Sequence, residues 1–157
     1  MLMLSDPQWR QFSANYTDGA QVAKLLARAE SGEEIHRWFD DLHQELMHQY
    51  TVSQAAFPAA PHLVHLAETR EDARVELLVL LGLCHAYLDG SILDAMPPDI
   101  VQEWHSSAKE AWILVADELK KNQSNTNQLL YLLVALAALS GYPALARSIE
   151  AHDYELE

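Results

Sequence analysis

The sequence predicts an all-α protein, a short right-handed stack of antiparallel helix pairs with about seven helices, which is the layout of an α-solenoid. Three observations predict it. Apolar residues recur three and four positions apart through most of the chain, and no stretch alternates convincingly as a strand would. The periodic segments are short and divided by turn and capping residues, which pairs consecutive helices antiparallel. The stretch 71–88, EDARVELLVLLGLCHAYL, is apolar on every side from Val75 onward. A helix of that kind must be covered by protein on most sides, so it is the element around which the others pack.

The elements follow in order. Asp6-Pro7 opens a short helix, a capping carboxylate followed by proline at the first helical position, with Trp9 and Phe12 as anchors. Thr17-Asp18-Gly19 breaks it, and a second helix over about 20–30 turns Val22, Leu25, Leu26 and Ala29 inward and stops at Gly32. Ser31-x-x-Glu34 has the form of a capping box and starts a helix over about 33–50, whose apolar face is Ile35, Trp38, Phe39, Leu42, Leu46 and Tyr50. Pro58 and Pro61 each remove a donor and crowd the preceding turn. The next helix therefore starts near Pro61 or is kinked there, burying Leu63, Val64 and Leu66. Thr69-x-x-Asp72 resembles another cap and opens the central helix, which ends at Asp89-Gly90. After a loop holding Met96-Pro97-Pro98, Asp99-x-x-Gln102 caps a helix to about Lys121, with Ile100, Val101, Trp104, Ala108, Trp112, Val115 and Leu119 on one face. NQSNTN is a polar loop, the helix through Leu129–Leu139 ends at Gly141, and Pro143 starts a last helix to about His152.

At 157 residues the chain reads as one domain, 1–157, long enough to bury a core. Half of its residues are hydrophobic, which excludes a disordered chain. The net charge is −13, spread over both halves: 12 acidic and 6 basic residues in 1–78, 11 and 4 in 79–157, with a local cluster in the terminal EAHDYELE. A field of that sign repels nucleic acid and anionic membranes and attracts basic partners. The lone Cys84 excludes an intrachain disulfide and fits a reducing compartment. MLMLSDP has no basic flank or cleavage pattern of a signal peptide. The longest apolar run, 129–139, is about half of the ~20 residues that a spanning helix needs. A soluble, cytoplasmic protein is expected.

Chemical signatures are sparse. His36, Asp40 and His43 share one helix flank at metal-ligand spacing, and His62 and His65 form a second pair. Glu33-x-x-His36 and Glu45-x-x-His48 echo di-iron bundles, but that chemistry needs the motif on two helices, and here both lie on one. Half-buried or solvated histidines beside carboxylates are the expectation, with the His36, Asp40, His43 group as the metal alternative and no cofactor. Cys84 and His85 are adjacent, so on a helix they diverge by about 100° and cannot pair. There is no Gly-x-Ser-x-Gly, no phosphate loop and no kinase set, so no enzyme is expected. The four tryptophans sit on apolar faces, and any that proved exposed would be interface anchors.

Roughly residues 54–88 resemble a HEAT-type repeat: Pro61-His-Leu-Val-His-Leu66, an acidic turn, then Asp72, Arg74 and Leu80-Leu-Gly82-Leu. The resemblance implies that Arg74 reaches the turn's Asp72 and that Gly82 lets helices pack closely. It departs at Leu77-Leu78, where the family usually has alanines. HQYTVSQAAFPAAPHLVHLAE is similar to a segment of small bacterial HEAT-like proteins, some of them encoded beside secreted toxins as immunity partners. In such a stack, helices 33–50 and 71–88 would both be second helices, which line the concave side. One flank of the first carries Glu34, Asp41, Glu45 and His48; the other carries His36, Asp40, His43 and Met47. The resemblance thus implies a protein-binding module, most concretely an immunity protein that neutralises a basic toxin domain. Asp40, Asp41, Glu45, His48, Asp72 and Glu76 would be its partner-binding residues. A scaffold or adaptor using apolar surface is the alternative.

Overall fold

The computed structural model describes residues 1–121 and 126–153. Among them lie eight α-helices and one two-stranded hairpin, so the fold class is all-α as predicted. The helices are α1 (Gly19–Glu30), α2 (Phe39–Leu46), α3 (Ala56–Thr69), α4 (Arg74–Tyr87), α5 (Gly90–Asp94), α6 (Pro98–Lys121), α7 (Thr126–Leu139) and α8 (Pro143–Asp153). Most of the NQSNTN loop and half of the acidic C-terminal cluster lie outside the described residues.

Some starts follow the local chemistry read from the sequence. Asp6 accepts from the amide of Gln8 at 2.8 Å and opens a 3-10 turn over Pro7–Gln11 that buries Trp9. Asp18 accepts from Ala20 and Gln21 and starts α1. Gly32 and Gly141, at φ 85° and 84°, stop α1 and α7 in the left-handed region that glycine adopts without a Cβ clash. Asp99, expected to cap α6, lies inside its first turn, because the helix starts at Pro98. Two other expected caps are not made. Ser31 donates its hydroxyl backward to the Arg28 carbonyl at 2.7 Å, and Glu34 caps nothing. Thr69 donates to the His65 carbonyl at 2.9 Å, and α4 starts at Arg74 with no side-chain cap. Both prolines fall inside α3, which begins ahead of them at Ala56. Pro58 sits in the first turn, where an amide has no helical partner, and Pro61 removes one interior bond.

The predicted helix over 33–50 is broken, and its remainder includes the strands that the sequence did not suggest. It becomes a 3-10 turn at Ile35–Arg37, the eight-residue α2, and a hairpin of β1 (Met47–His48) and β2 (Thr51–Val52) paired Met47↔Val52 and His48↔Thr51. Neighbouring segments take the carbonyls that a longer helix would have used. The Asn15 amide donates to the Glu45 carbonyl at 3.0 Å, the Asn15 side chain donates to the Gln44 carbonyl at 3.2 Å, and the Ser53 amide donates to Leu46 at 2.9 Å. The turn between the strands holds Gln49 and Tyr50 at φ 47° and 64°. A two-residue hairpin loop asks for positive φ at both positions, and Asn-Gly is its usual sequence. Here two larger residues occupy it.

Helix α4 is the centre of the packing. It lies against α3, α6, α7 and α8 and touches both strands. α3 packs on α6, α6 on α7, and α1 on α2 and α3. α4 and α7 approach closely because of Gly82. A Cβ there would stand 2.5 Å from both Cα and Cβ of Ala135. Leu77, Leu78, Leu80, Leu81 and Cys84 are buried, and burial pushes the Cys84 thiol up to about 12, which makes it an inert core group. Trp104 sits between Phe57 and His85, with centroids at 4.7 and 4.0 Å. Burial, with help from His105, pushes His85 down to about 3, so this ring packs as a neutral plate.

Two arginines tie helix ends together, but not as the resemblance implied. Arg70, not Arg74, pairs with Asp72, at 2.8 and 2.6 Å, and it also donates to the carbonyls of Ala29 and Glu33. Arg74 instead donates to the last-turn carbonyls of Ala67 and Glu68 and to Glu118 of α6 at 3.2 Å. At the start of the chain, buried His62 holds the Leu2 carbonyl at 2.8 Å and the Glu30 carboxylate at 3.1 Å, which pins the first residues against α3. Among the described residues no helix is long and apolar enough to cross a membrane.

Candidate functional site: a groove along the central helix

Between α2, α4 and α7 lies an open pocket of about 310 Å³. Its floor is one stripe of α4, Val75, Val79 and Leu83, spaced four residues apart, with Glu76 and Leu80 beside it. Phe39 and His43 of α2 form one wall, and Asn127, Gln128 and Tyr131 of α7 form the other. No serine, cysteine or lysine lines it.

The α4 stripe continues one more turn to Tyr87, about 18 Å from Val75 along the helix axis at 1.5 Å per residue. Tyr87 is a fixture. Its hydroxyl donates to Glu150 of α8 at 2.5 Å, and Arg147 lies over its ring at 5.9 Å. Burial and the Glu150 carboxylate both push the Tyr87 phenol upward, so it remains a donor. Tyr50, projected by the hairpin turn, lies with its ring centroid 4.6 Å from that of Tyr87 and is 52% exposed. The pocket therefore has an apolar floor and a carboxylate in its lining, and beyond Leu83 the helix leads to half-buried Tyr87 with exposed Tyr50 against it.

The six residues expected to bind a partner do not form one surface. Glu76 lines the pocket, and Asp40 is exposed on α2, close enough to His43 to act on its titration. Asp41 is exposed but faces the side on which its charge acts on Arg28. Glu45 is buried, and its carboxylate accepts from the amides of Tyr16 and Thr17, both at 3.1 Å. His48 is half-buried against the Tyr16 hydroxyl at 2.7 Å. Asp72 is exposed and held by Arg70, which keeps its carboxyl below the usual range. The hollow is thus mainly apolar, with acid at its rim.

The metal alternative loses its geometry with the broken helix. His36 lies in the 3-10 turn, exposed, 3.6 Å from Glu34, while Asp40 and His43 lie in α2 and only His43 enters the pocket. Among the described residues no group of three or more His, Cys, Asp or Glu is placed to hold a metal. Burial pushes His43 below its ordinary value against the opposing pull of Asp40, so it stands neutral in the groove. Trp9, Trp38 and Trp104 are core residues, whereas Trp112 is 42% exposed, with Ile113, Leu133, Tyr142 and Leu145 also exposed on the C-terminal half.

Sequence reasoning placed Phe39 and Tyr50 on a buried face and Tyr87 in an all-round greasy helix, so it missed their part in the groove. The positive φ at Gln49 and Tyr50 has no signal in a Gln-Tyr pair. The HQYTV segment that carried the second resemblance is this hairpin. No protein-family model matches the chain, and neither a curated protein nor a solved structure does.

Proposed function

We propose that the chain is a protein-binding module, a HEAT-like α-solenoid in which α1/α2, α3/α4 and α6/α7 are successive pairs and the second helices face the partner. In its most concrete form it is a cytoplasmic immunity protein that binds and neutralises a basic toxin domain. The observation that carries this is the groove of α2, α4 and α7, where an uncovered apolar stripe on the central helix meets the carboxylate of Glu76, with Asp40 exposed on α2 near His43 of the lining. An apolar floor supplies affinity, and a negative rim on a −13 chain supplies steering and choice of partner. A hollow this small and open suits side-chain anchors better than an enclosed metabolite, and its lining brings together no nucleophile and base.

The test is co-expression with the product of the adjacent gene, followed by co-purification over a range of salt. Capture that weakens with salt and with charge reversal at Asp40 and Glu76 supports the proposal. Capture that survives both reversals removes its electrostatic part. The second reading is a scaffold or adaptor that uses apolar surface. The exposed Trp112, Ile113, Leu133, Tyr142 and Leu145 favour it, and it predicts binding that salt leaves unchanged and that fails on Trp112→Ala.

A further inference from the structure

We infer that the groove receives a single amphipathic α-helix of the partner, with a basic side chain at the Glu76–Asp40 end and apolar anchors running toward the Tyr50–Tyr87 pair. This rests on the protein-binding proposal above. Three independent features point to it. The first is shape. Between the two helical walls the floor is the ridge Val75, Val79 and Leu83, and the ridge slants on for one more turn to Tyr87, which lies beyond the pocket beside Tyr50, about 18 Å from Val75 along the axis. That accommodates about twelve residues of helix, whose own apolar stripe at three- and four-residue spacing would lie along it. An extended strand would need a free sheet edge, and the only sheet among the described residues is the two-residue hairpin.

The second feature is charge. Glu76 and Asp40 take part in no ion pair among the described residues, whereas Asp72, Glu33, Asp117 and Glu118 are each held by a lysine or arginine of this chain. A lysine or arginine of the partner, or the positive N-terminal end of its helix, complements that end. The third feature is strain. Gln49 and Tyr50 both occupy the left-handed region, where neither residue type is at ease, and the result is an exposed aromatic ring set over Tyr87 at the groove's far end. Backbone strain of this sort persists where the surroundings over-determine it and gathers at binding sites. A tyrosine held in advance by its backbone and a ring partner is the kind of rigid, amphipathic anchor that dominates interfaces.

The experiment is a selection on the intact protein with two displayed peptide libraries of about twelve residues, one constrained to be helical and one unconstrained. Enriched peptides are then remeasured by fluorescence anisotropy against Glu76→Lys, Tyr50→Ala and Val79→Asp, with circular dichroism confirming that each variant folds. The expected result is enrichment from the helical library of sequences with apolar residues three and four apart and a Lys or Arg at one end. Each variant should weaken their binding by at least about tenfold. Glu76→Lys and Tyr50→Ala alter groups at the rim, so the test stands even if Val79→Asp does not fold. Enrichment of non-helical peptides that the variants release would overturn the helical occupant and leave the protein-binding groove intact. No enrichment, or peptides indifferent to all folded variants, would overturn both.

Discussion

Gly82→Ala tests whether the close approach of α4 and α7 sets the spacing of the groove's floor and far wall. Two effects oppose one another. Alanine in a helix interior is favoured over glycine by about 1 kcal/mol. Against that, the new Cβ would lie 2.5 Å from Cα and Cβ of Ala135, whereas carbon atoms rest at roughly 3.5–4.0 Å. A backbone carbon cannot rotate aside, so α7 must move by about 1 Å, and overpacking of this kind costs about 1–3 kcal/mol. A mid-range cost of about 2 kcal/mol less the propensity gain of about 1 leaves an expected net loss of about 1 kcal/mol, a fall in Tm of roughly 2–4 °C for a chain of this size. Urea unfolding followed by circular dichroism should show a lower midpoint with an unchanged slope. Ala135→Gly in the Gly82→Ala background should restore part of the loss, because it removes the opposing methyl while the backbone of α7 still crowds the new one, and the two substitutions should be non-additive. A Gly82→Ala protein as stable as the parent, or more so, would refute the close approach and with it the spacing of the groove.

Three further outcomes are expected. Glu118 is buried, which raises its carboxyl, but the bonds from Lys121 and Arg74 outweigh that and leave it below its ordinary value. A depressed carboxylate contributes stability that is present above its unfolded value and is lost as pH falls through the folded one, so acid titration should destabilise the parent below about pH 4.5 and Glu118→Gln less steeply. Gln49→Gly should relieve left-handed strain without touching a ring pair and raise stability by roughly 1 kcal/mol with partner binding retained, whereas Tyr50→Gly should lose binding. His43 stands neutral in the groove, and its protonation as pH falls below its ordinary range should weaken capture of a basic partner; His43→Gln should remove that pH dependence.

How far the sequence could be read depends on the range of the interaction that decides each feature. Apolar periodicity is local and cumulative, so α1, α4, α6, α7 and α8 were legible to within a few residues, as were the stops at Gly32 and Gly141. Capping is local but contested. Ser31 and Thr69 each found a carbonyl one turn back, which no spacing rule could foresee. The break after Leu46 is set by Asn15, some thirty residues away, taking the carbonyls of Gln44 and Glu45, and by Ser53 across the hairpin taking that of Leu46. That one event removed Glu45 from the surface and turned a flat flank into a hairpin. The acidic end of the groove was legible through Glu76 and Asp40, and the tyrosine end was not. Arg74 was identified as a clasp, but the acid it was matched to went to Arg70, which reaches Asp72 while also holding the end of α1.

Hydrogen exchange measured on the chain alone and bound to the partner recovered by co-expression tests the central claim most directly. The groove predicts slowed exchange in 39–46, 74–87 and 127–131, with α1, α3 and α6 unchanged. Protection confined to α1, α3 and α6, with the α2, α4 and α7 amides exchanging as before, would contradict it.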